Sequence, residues 1–195
     1  MDTRNFIIFS QPSTGSSLLA TVFTLHPQVK MYFEYQNFRH WPGLAEYNNG
    51  QGKVFGNKFI SWDLASKVKI KLFEAMMREQ KFKIIHLNRQ QEDILGSYER
   101  RATLKNKRLG MTNSYSSEER TAHIECWEEH EEWHDKLIEL GCDVVRCDYQ
   151  EFINNPIEIG GQLMAWLELD YDEQAILNAP KYNLNRAQRR DGYSN

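Results

Sequence analysis

The sequence predicts an α/β fold in which a mainly parallel central sheet is flanked by helices on both faces. Short apolar runs, such as Phe6-Ile7-Ile8-Phe9, alternate along the chain with longer segments of helical character. This alternation is typical of parallel sheets covered on both faces. The 195 residues, 41% hydrophobic and 12% aromatic, suffice for one domain over 1–195, with 185–195 as a flexible tail.

The strands are predicted from apolar runs that end in small or polar residues. The first run is wholly apolar, as a strand buried on both faces is, and the segment Lys83–Asn88 has the same character. The Asn- and Gly-rich segment Asn48–Lys53 predicts a loop instead. In order, the predicted strands lie at 5–10, 29–33, 54–60, 83–88 and 143–147.

The helices are predicted from apolar periodicity and from capping residues. The segment after Gln91 places apolar residues on one face, and Ser116-x-x-Glu119 forms a capping box that begins the longest helix. The predicted helices lie at 16–25, 62–79, 91–106, 117–140, 149–154 and 157–168.

A small polar loop, Ser10–Ser17, joins the first strand to the first helix. Backbone N–H groups of a Gly/Ser turn and the positive end of the following helix together form an anion site. Hydroxyl groups of the loop add further donors. A Walker loop would need Lys directly after its last Gly, but Gly15 is followed by Ser16, so the sequence excludes that class of NTPase.

A second candidate anion site follows the strand 83–88. Arg89 stands at the carboxyl end of this strand, where open α/β sheets place their ligand groups. Ser97 lies eight positions further on, in the next predicted helix. Each of these residues alone is more simply explained as a solvated surface side chain.

Taken together, these segments resemble the sulfotransferases that use 3′-phosphoadenosine 5′-phosphosulfate (PAPS), in their single-domain bacterial and viral form. The loop Pro12-Ser13-Thr14-Gly15-Ser16-Ser17 is similar to the family's 5′-phosphosulfate loop, and Arg89 with Ser97 matches its 3′-phosphate pair. The segments Phe55–Phe59 and Val144–Phe152 also resemble family strands. The resemblance implies a P-loop-like sulfotransferase fold, with Ser13, Thr14, Gly15, Ser16, Ser17, Arg89 and Ser97 binding the nucleotide.

The loop departs from the family at one position. Ser13 stands where the family usually has Arg or Lys, so a cation near the transferring sulfuryl group is missing. We expect Lys58, on the strand 54–60, to supply this charge. We expect Glu34, directly after the strand 29–33, to act as the base that takes the acceptor's proton, with His40 and His134 as alternatives.

The resemblance also implies a role for the basic end of the chain. The family often folds a basic, Gly-containing segment over the 3′-phosphate, and Arg189, Arg190 and Gly192 match it here. The implied reaction transfers a sulfuryl group from PAPS to a hydroxyl of a small molecule or carbohydrate and needs no metal. The alternative function is a catalytically degenerate relative that binds the nucleotide or a partner, because Ser13 has replaced the cation.

A remote alternative is a zinc metallopeptidase, since His130-Glu131-Glu132-Trp133-His134 satisfies H-E-x-x-H. Neighbouring glutamates and the lack of a third-ligand motif favour a charged surface helix, so we expect no zinc here.

Charge and cysteine content exclude several other classes. A net charge of −3 gives no sign of a nucleic-acid surface, and no apolar run approaches the length of a membrane span. The three cysteines show neither metal spacing nor a disulfide framework, which favours a reducing, cytoplasmic location. The loops at 36–52 and 109–117 are expected to shape the acceptor pocket, but they carry no recognisable code for the acceptor.

Overall fold

Five parallel strands form a central sheet in the computed structural model, which describes residues 4–34, 40–64, 66–109 and 115–192, without the side chains of 105–109 and 183–192. The strand order is β2-β3-β1-β4-β5, so β1 is central, with Ile8 paired to Lys58 on β3 and to Ile85 on β4. The strands are β1 (Phe6–Ser10), β2 (Val29–Phe33), β3 (Val54–Ile60), β4 (Lys83–Asn88) and β5 (Asp143–Asp148).

Helices cover both faces of this sheet. The described helices are α1 (Ser16–Leu25), α2 (Trp41–Gly50), α3 (Lys67–Gln80), α4 (Gln91–Leu109), α5 (Ser117–Glu139), α6 (Tyr149–Asn154), α7 (Pro156–Trp166) and α8 (Glu173–Gly192), with a 3-10 turn at Ser61–Leu64. None of them is at once long and apolar enough to span a lipid bilayer, as far as the described residues go.

Alternate residues of β1 belong to two separate hydrophobic cores, one on each face of the sheet. Phe6 and Ile8 pack with residues of α1, α7 and α8, whereas Ile7 and Phe9 pack with residues of α2, α3 and α5. A strand buried on both faces must be apolar throughout, and all five residues of β1 are buried. The predicted fold class, a mainly parallel sheet with helices on both faces, is confirmed.

The prediction of a loop over Asn48–Lys53 was wrong in its first half, because helix α2 extends to Gly50. Trp41 at the start of α2 is fully buried, and its indole lies edge-on to Phe59, Phe73 and Phe82. The Asn and Gly content of this segment disfavours a helix, but burial of one large aromatic side chain outweighs local propensity.

The predicted helix 62–79 is divided in the structure. The 3-10 turn Ser61–Leu64 comes first, and α3 begins only after Ser66, whose hydroxyl accepts a hydrogen bond from the Lys69 N–H. At the other end of the chain, no helix was predicted after 168, yet α8 runs from Glu173 to Gly192. Its described residues Ala175, Ile176 and Ala179 are buried against the α1 side of the sheet.

Candidate functional site

The loop between β1 and α1 lies at the carboxyl edge of the sheet. Ser13 and Gly15 both have positive φ, 71° and 85°, which turns the chain sharply into α1. The Thr14 hydroxyl donates to the Gln11 carbonyl over 2.8 Å and fixes the turn. Gly15 is the N-cap of α1 and supplies no side-chain cap, so the first N–H groups of this helix remain available to an anion.

Gly15 lies directly under an aromatic ring. A Cβ atom at this position would be 2.0 Å from Tyr149 Cε2, which is far inside van der Waals contact. Tyr149 begins α6, directly after β5. Close packing therefore excludes a Cβ at this position, and the positive φ also favours glycine.

Arg89 follows β4 and contacts the same loop. Its Nη1 donates to the Ser13 carbonyl over 3.1 Å, and its Cζ lies 4.8 Å from the centroid of the Tyr149 ring. An Asp93 carboxylate oxygen is 3.7 Å from Nε. The loop follows β1, and Arg89 follows the neighbouring strand β4. From these two strands the chain continues in opposite directions, towards β2 and towards β5, and open α/β sheets bind ligands at such a point.

Ser97 is half-buried on α4, and no hydrogen bond joins it to Arg89 within the described residues. Its neighbour Tyr98 contacts the loop instead, with the phenol oxygen 3.5 Å from the Pro12 carbonyl. Burial is the main cause that raises the pKa of Tyr98 to about 12, so its hydroxyl keeps its proton at neutral pH. Helix α4 is thereby held against the loop.

Lys58 and Glu34 meet beside the start of α1. Lys58 Nζ is 2.6 Å from Glu34 Oε1 and 3.3 Å from Ser17 Oγ. Lys58 is only 4% exposed, whereas the Glu34 side chain is 45% exposed. Because a buried ammonium group is costly without a partner, the carboxylate stabilises Lys58 in this position.

Backbone contacts also fix the positions of Lys58 and Glu34. The Glu34 N–H donates to the Lys58 carbonyl over 2.7 Å, and Glu34 has a φ of 54°. Parallel pairing of β2 with β3 sets Phe33 opposite Lys58, so the strand ends bring both side chains to the loop. The structure thus places a carboxylate, an ammonium group and a hydroxyl of the loop in contact.

The remaining predicted residues lie elsewhere or outside the description. The side chains of Arg189 and Arg190 are outside the described residues, although the backbone of α8 reaches Gly192. His40 is the N-cap of α2, and His134 Nδ1 lies 2.8 Å from an oxygen of Asp135. The proposed nucleotide and base roles remain predictions for all these side chains.

The H-E-x-x-H histidines do not act as a pair in the structure. His130 is buried and stacks on His86, with ring centroids 4.2 Å apart and an interplanar angle of 13°. The ligand atoms that lie within 4.8 Å of one another belong to His86, His130 and Glu131, without His134. Nearly parallel rings cannot both direct an in-plane lone pair at one ion, so this packing favours a structural role for the two histidines.

Both stacked rings are held by backbone carbonyls. His86 Nε2 donates to the His130 carbonyl over 3.0 Å, and His130 Nε2 donates to the Leu87 carbonyl over 3.1 Å. Since a carbonyl oxygen can only accept a hydrogen bond, Nε2 of each ring carries the hydrogen and Nδ1 of each ring carries none. Burial is the main cause that lowers the pKa of His86 to about 4 and holds the pKa of His130 well below its usual value.

Sequence reasoning missed two aromatic residues of the site. Tyr149 covers Gly15 and Tyr98 contacts Pro12. Tyr98 directly follows Ser97, and Tyr149 lies in the segment that resembles a family strand. No local pattern indicates either contact, because each joins segments that are far apart in the sequence.

Two solved structures that superpose on this chain are sulfotransferases. A sulfotransferase from Alicyclobacillus acidocaldarius superposes with a TM-score of 0.56 at 16% identity, covering 86% of this chain and 82% of that one. Mouse sulfotransferase SULT7A1 complexed with PAP superposes with a TM-score of 0.51 at 18% identity, covering 92% of this chain but only 63% of the mouse chain. No protein-family model and no curated protein matches the sequence. The chain therefore has the fold of the sulfotransferases.

Proposed function

We propose that the protein is a sulfotransferase that moves the sulfuryl group of PAPS to a hydroxyl of a small molecule or carbohydrate. The observation that carries this proposal is the contact of Lys58 with both Glu34 and Ser17 at the end of the phosphate-binding type of loop. The mouse neighbour, which was solved with PAP, supports an adenosine bisphosphate as the nucleotide.

The proposed binding roles follow the positions of the donors. Backbone N–H groups at Gly15, Ser16 and Ser17 hold the 5′-phosphosulfate at the positive end of α1. Arg89 and Ser97 hold the 3′-phosphate. One Arg89 N–H is used by the Ser13 carbonyl and the buried Nε faces Asp93, so the other guanidinium N–H groups are the proposed donors to the phosphate.

The proposed transfer is an in-line displacement. The acceptor oxygen forms a bond to sulfur while the bond between sulfur and the bridging phosphate oxygen breaks, leaving adenosine 3′,5′-bisphosphate. Glu34 takes the hydroxyl proton. Once Glu34 is neutral, the Lys58 ammonium group no longer faces a carboxylate charge and is free to stabilise the negative charge that develops on the leaving oxygen.

Two cations compensate for Ser13 in this proposal. Lys58 contacts Ser17, and Arg89 contacts the Ser13 carbonyl itself, so positive charge faces both ends of the loop. No metal ion is required. The alternative, a degenerate relative that binds nucleotide without turnover, predicts bisphosphate binding but no sulfuryl transfer from PAPS to any acceptor.

Calorimetry with adenosine 3′,5′-bisphosphate and AMP tests the nucleotide site. AMP lacks the 3′-phosphate and should bind more weakly by about 1.5–3 kcal/mol, the worth of a hydrogen bond to a charged group. Arg89→Ala should weaken bisphosphate binding and leave AMP binding nearly unchanged. Equal affinity of the parent for both ligands would refute the proposal. An equal loss of affinity for bisphosphate and AMP in Arg89→Ala would show that Arg89 supports the loop but does not contact the 3′-phosphate.

The three cysteines, Cys126, Cys142 and Cys147, are free thiols, and we propose that the protein acts in a reducing compartment such as the cytoplasm.

A further inference from the structure

One face of α5 runs along the carboxyl edge of the sheet. His123, Trp127 and His130 lie on this face, because they are spaced by four and three residues. His130 Nε2 donates to the Leu87 carbonyl at the end of β4 over 3.1 Å. The His123 carbonyl accepts from Nε2 of Gln11, which leads into the phosphate loop, over 3.5 Å. The two outer residues of this face are thus bound to the end of β4 and to the start of the loop.

Trp127, between these two residues, contacts the second candidate anion site. Its indole Nε1 donates to the Arg89 carbonyl over 3.1 Å. The next carbonyl along the chain, that of Gln90, accepts from the Ile94 N–H in α4 over 3.2 Å. The turn that begins α4 therefore uses the Gln90 carbonyl, whereas the Arg89 carbonyl is bound by a side chain of α5.

The backbone of Arg89 is held on both sides of its Cα atom. Its N–H donates to Asn88 Oδ1 over 2.6 Å, and its carbonyl is bound by the Trp127 indole. When both flanking peptide groups are fixed, the direction of the Cα–Cβ bond is fixed too, and with it the space that the side chain can reach. A planar guanidinium needs a defined direction to form paired hydrogen bonds with a phosphate.

We infer that Trp127 is a positioning residue for the proposed 3′-phosphate site. It acts through Arg89, because its N–H holds the carbonyl of the residue whose guanidinium is proposed to bind the phosphate. The inference rests on the proposed function. The indole is bound to the strand that carries Arg89 and not to the loop Ser10–Ser17, so loss of its N–H should weaken the contact with a 3′-phosphate and spare the 5′-phosphate.

Calorimetry of Trp127→Phe with adenosine 3′,5′-bisphosphate and AMP tests this inference. Phenylalanine keeps an aromatic ring but has no N–H donor. Bisphosphate should bind roughly threefold to tenfold more weakly than to the parent, the equivalent of one hydrogen bond, and AMP should keep its affinity. The preference of the protein for bisphosphate over AMP should therefore narrow.

Trp127→His separates the hydrogen bond from the packing of the ring. Nε2 of histidine lies as many bonds from Cβ as the indole Nε1, and it can donate in the neutral and in the charged ring. Histidine fills less space than phenylalanine and is less apolar, so it loses more packing but keeps a donor. The histidine variant should retain more of the preference for bisphosphate than Trp127→Phe does. The opposite order would show that Trp127 serves packing alone.

Trp133→Phe provides the matched control. It is the same substitution on the same helix, and Trp133 is only 8% exposed and packs against Phe9 and Phe73. This variant should lower the urea midpoint and retain the preference for bisphosphate. A narrowed preference in Trp133→Phe would show that the preference responds to any loss of packing, and would overturn the inference.

A double variant tests whether Trp127 acts through Arg89. Trp127→Phe added to Arg89→Ala should bind bisphosphate like Arg89→Ala alone, because the side chain that the indole positions is already missing. A further loss in the double variant, or an equal loss for both ligands in Trp127→Phe, would refute the inference while the preference of the parent keeps the proposed function. A parent without that preference would refute the proposed function, and the inference with it.

Discussion

Lys58 is a buried cation whose partner, Glu34, is half exposed. A buried ammonium group left without its carboxylate is strongly destabilising, so the two residues must be treated together when either is changed. Glutamine is the informative replacement at position 34 because its side-chain oxygen can still accept the hydrogen bond from Lys58 but cannot take a proton.

Glu34→Gln should retain bisphosphate binding and slow sulfuryl transfer by roughly 100-fold to 10,000-fold, the usual contribution of a general base. Turnover of PAPS with a panel of sugar and small-molecule acceptors, together with calorimetry, separates the two effects. A variant as fast as the parent would show that Glu34 is not the base.

Ser13→Arg tests whether the missing loop cation limits the rate. A cation directed at the charge that develops in the transition state should raise turnover if Lys58 and Arg89 do not already supply that charge. The PAPS assay should show no gain if they do, as we expect from their contacts with Ser17 and Ser13.

Gly15→Ala should lower the free energy of unfolding more than Gly141→Ala. Both glycines have a similar positive φ, 85° and 83°, but nothing lies within 4 Å of a Cβ at Gly141. The shared backbone strain costs roughly 1–2 kcal/mol. At Gly15 the Tyr149 ring must also move and lose its contact with Arg89, which adds roughly 1–3 kcal/mol of overpacking. Equal urea midpoints for the two variants would contradict this account.

Several residues of the site could be predicted because they lie at fixed positions relative to strand ends. Glu34, Lys58 and Arg89 each lie at or near the end of a predicted strand, and parallel strands end at one edge. The contacts that these side chains make within the site could not be predicted. Whether Arg89 faces Ser13 or solvent depends on Tyr149, which comes from a segment 60 positions later in the chain.

At the scale of the elements, the histidine pair joins β4 to α5. The hydrogen bonds of His86 and His130 to backbone carbonyls connect the strand and the helix in both directions. Both rings are neutral because burial disfavours the imidazolium form. Protonation of either ring therefore opposes the packing of α5 on the sheet.

The protein should lose stability as the pH falls from about 6.5 towards 4. In this window the unfolded chain binds a proton at position 86 that the folded chain, with a pKa of about 4, does not bind. The lowered pKa thus contributes stability above 6.5 that disappears towards 4, about 3 kcal/mol for this residue. His130 acts in the same direction, whereas Glu131, whose pKa is raised by burial, partly offsets the loss.

Urea denaturation at several pH values measures this slope. His86→Gln retains an amide that can donate to the His130 carbonyl but cannot be protonated, so it should flatten the dependence between pH 6.5 and 4. A variant with the same slope as the parent would show that His86 is not responsible.

The ends of helices could be predicted where a local capping motif marks them. The prediction was wrong where tertiary packing determines where a helix begins or ends. Ser116 with Glu119 forms both hydrogen bonds of the predicted capping box. In contrast, the cap of α3 by Ser66 was hidden inside a continuous helical pattern. Helix α2 begins with Trp41, which packs among four phenylalanines from other parts of the chain. A single sequence does not reveal such packing.

For the whole molecule, the role of the chain end can be tested by truncation. Removal of the residues after Leu184 retains Ala175, Ile176 and Ala179, the buried part of α8, so the fold should persist. If Arg189, Arg190 and Gly192 close over the 3′-phosphate, bisphosphate binding should weaken while AMP binding changes little. An unchanged dissociation constant for bisphosphate in calorimetry would remove these residues from the site.

The centre of the sheet was predictable because β1 and most of β4 are apolar on both faces and therefore stand out from the amphipathic helices. Strand order was not predictable in the same way. It depends on which connections between strands cross β1, and the sequence of a strand does not indicate which strands it pairs with. The separation of two cores by one sheet is likewise visible only once the partners of Ile7 and Ile8 are known.

The central position of β1 has a consequence for biosynthesis. Both partners of this strand, β3 and β4, come much later in the chain, so the apolar segment Phe6–Phe9 leaves the ribosome without a partner on either side. At roughly 5–20 residues per second, the nascent chain needs several seconds to reach Asn88 and complete the pairing. Long-range parallel pairing of this kind also folds slowly and leaves strand edges open to other chains. The strand that leads into the loop Ser10–Ser17 thus stays unpaired until both of its partners have been synthesised.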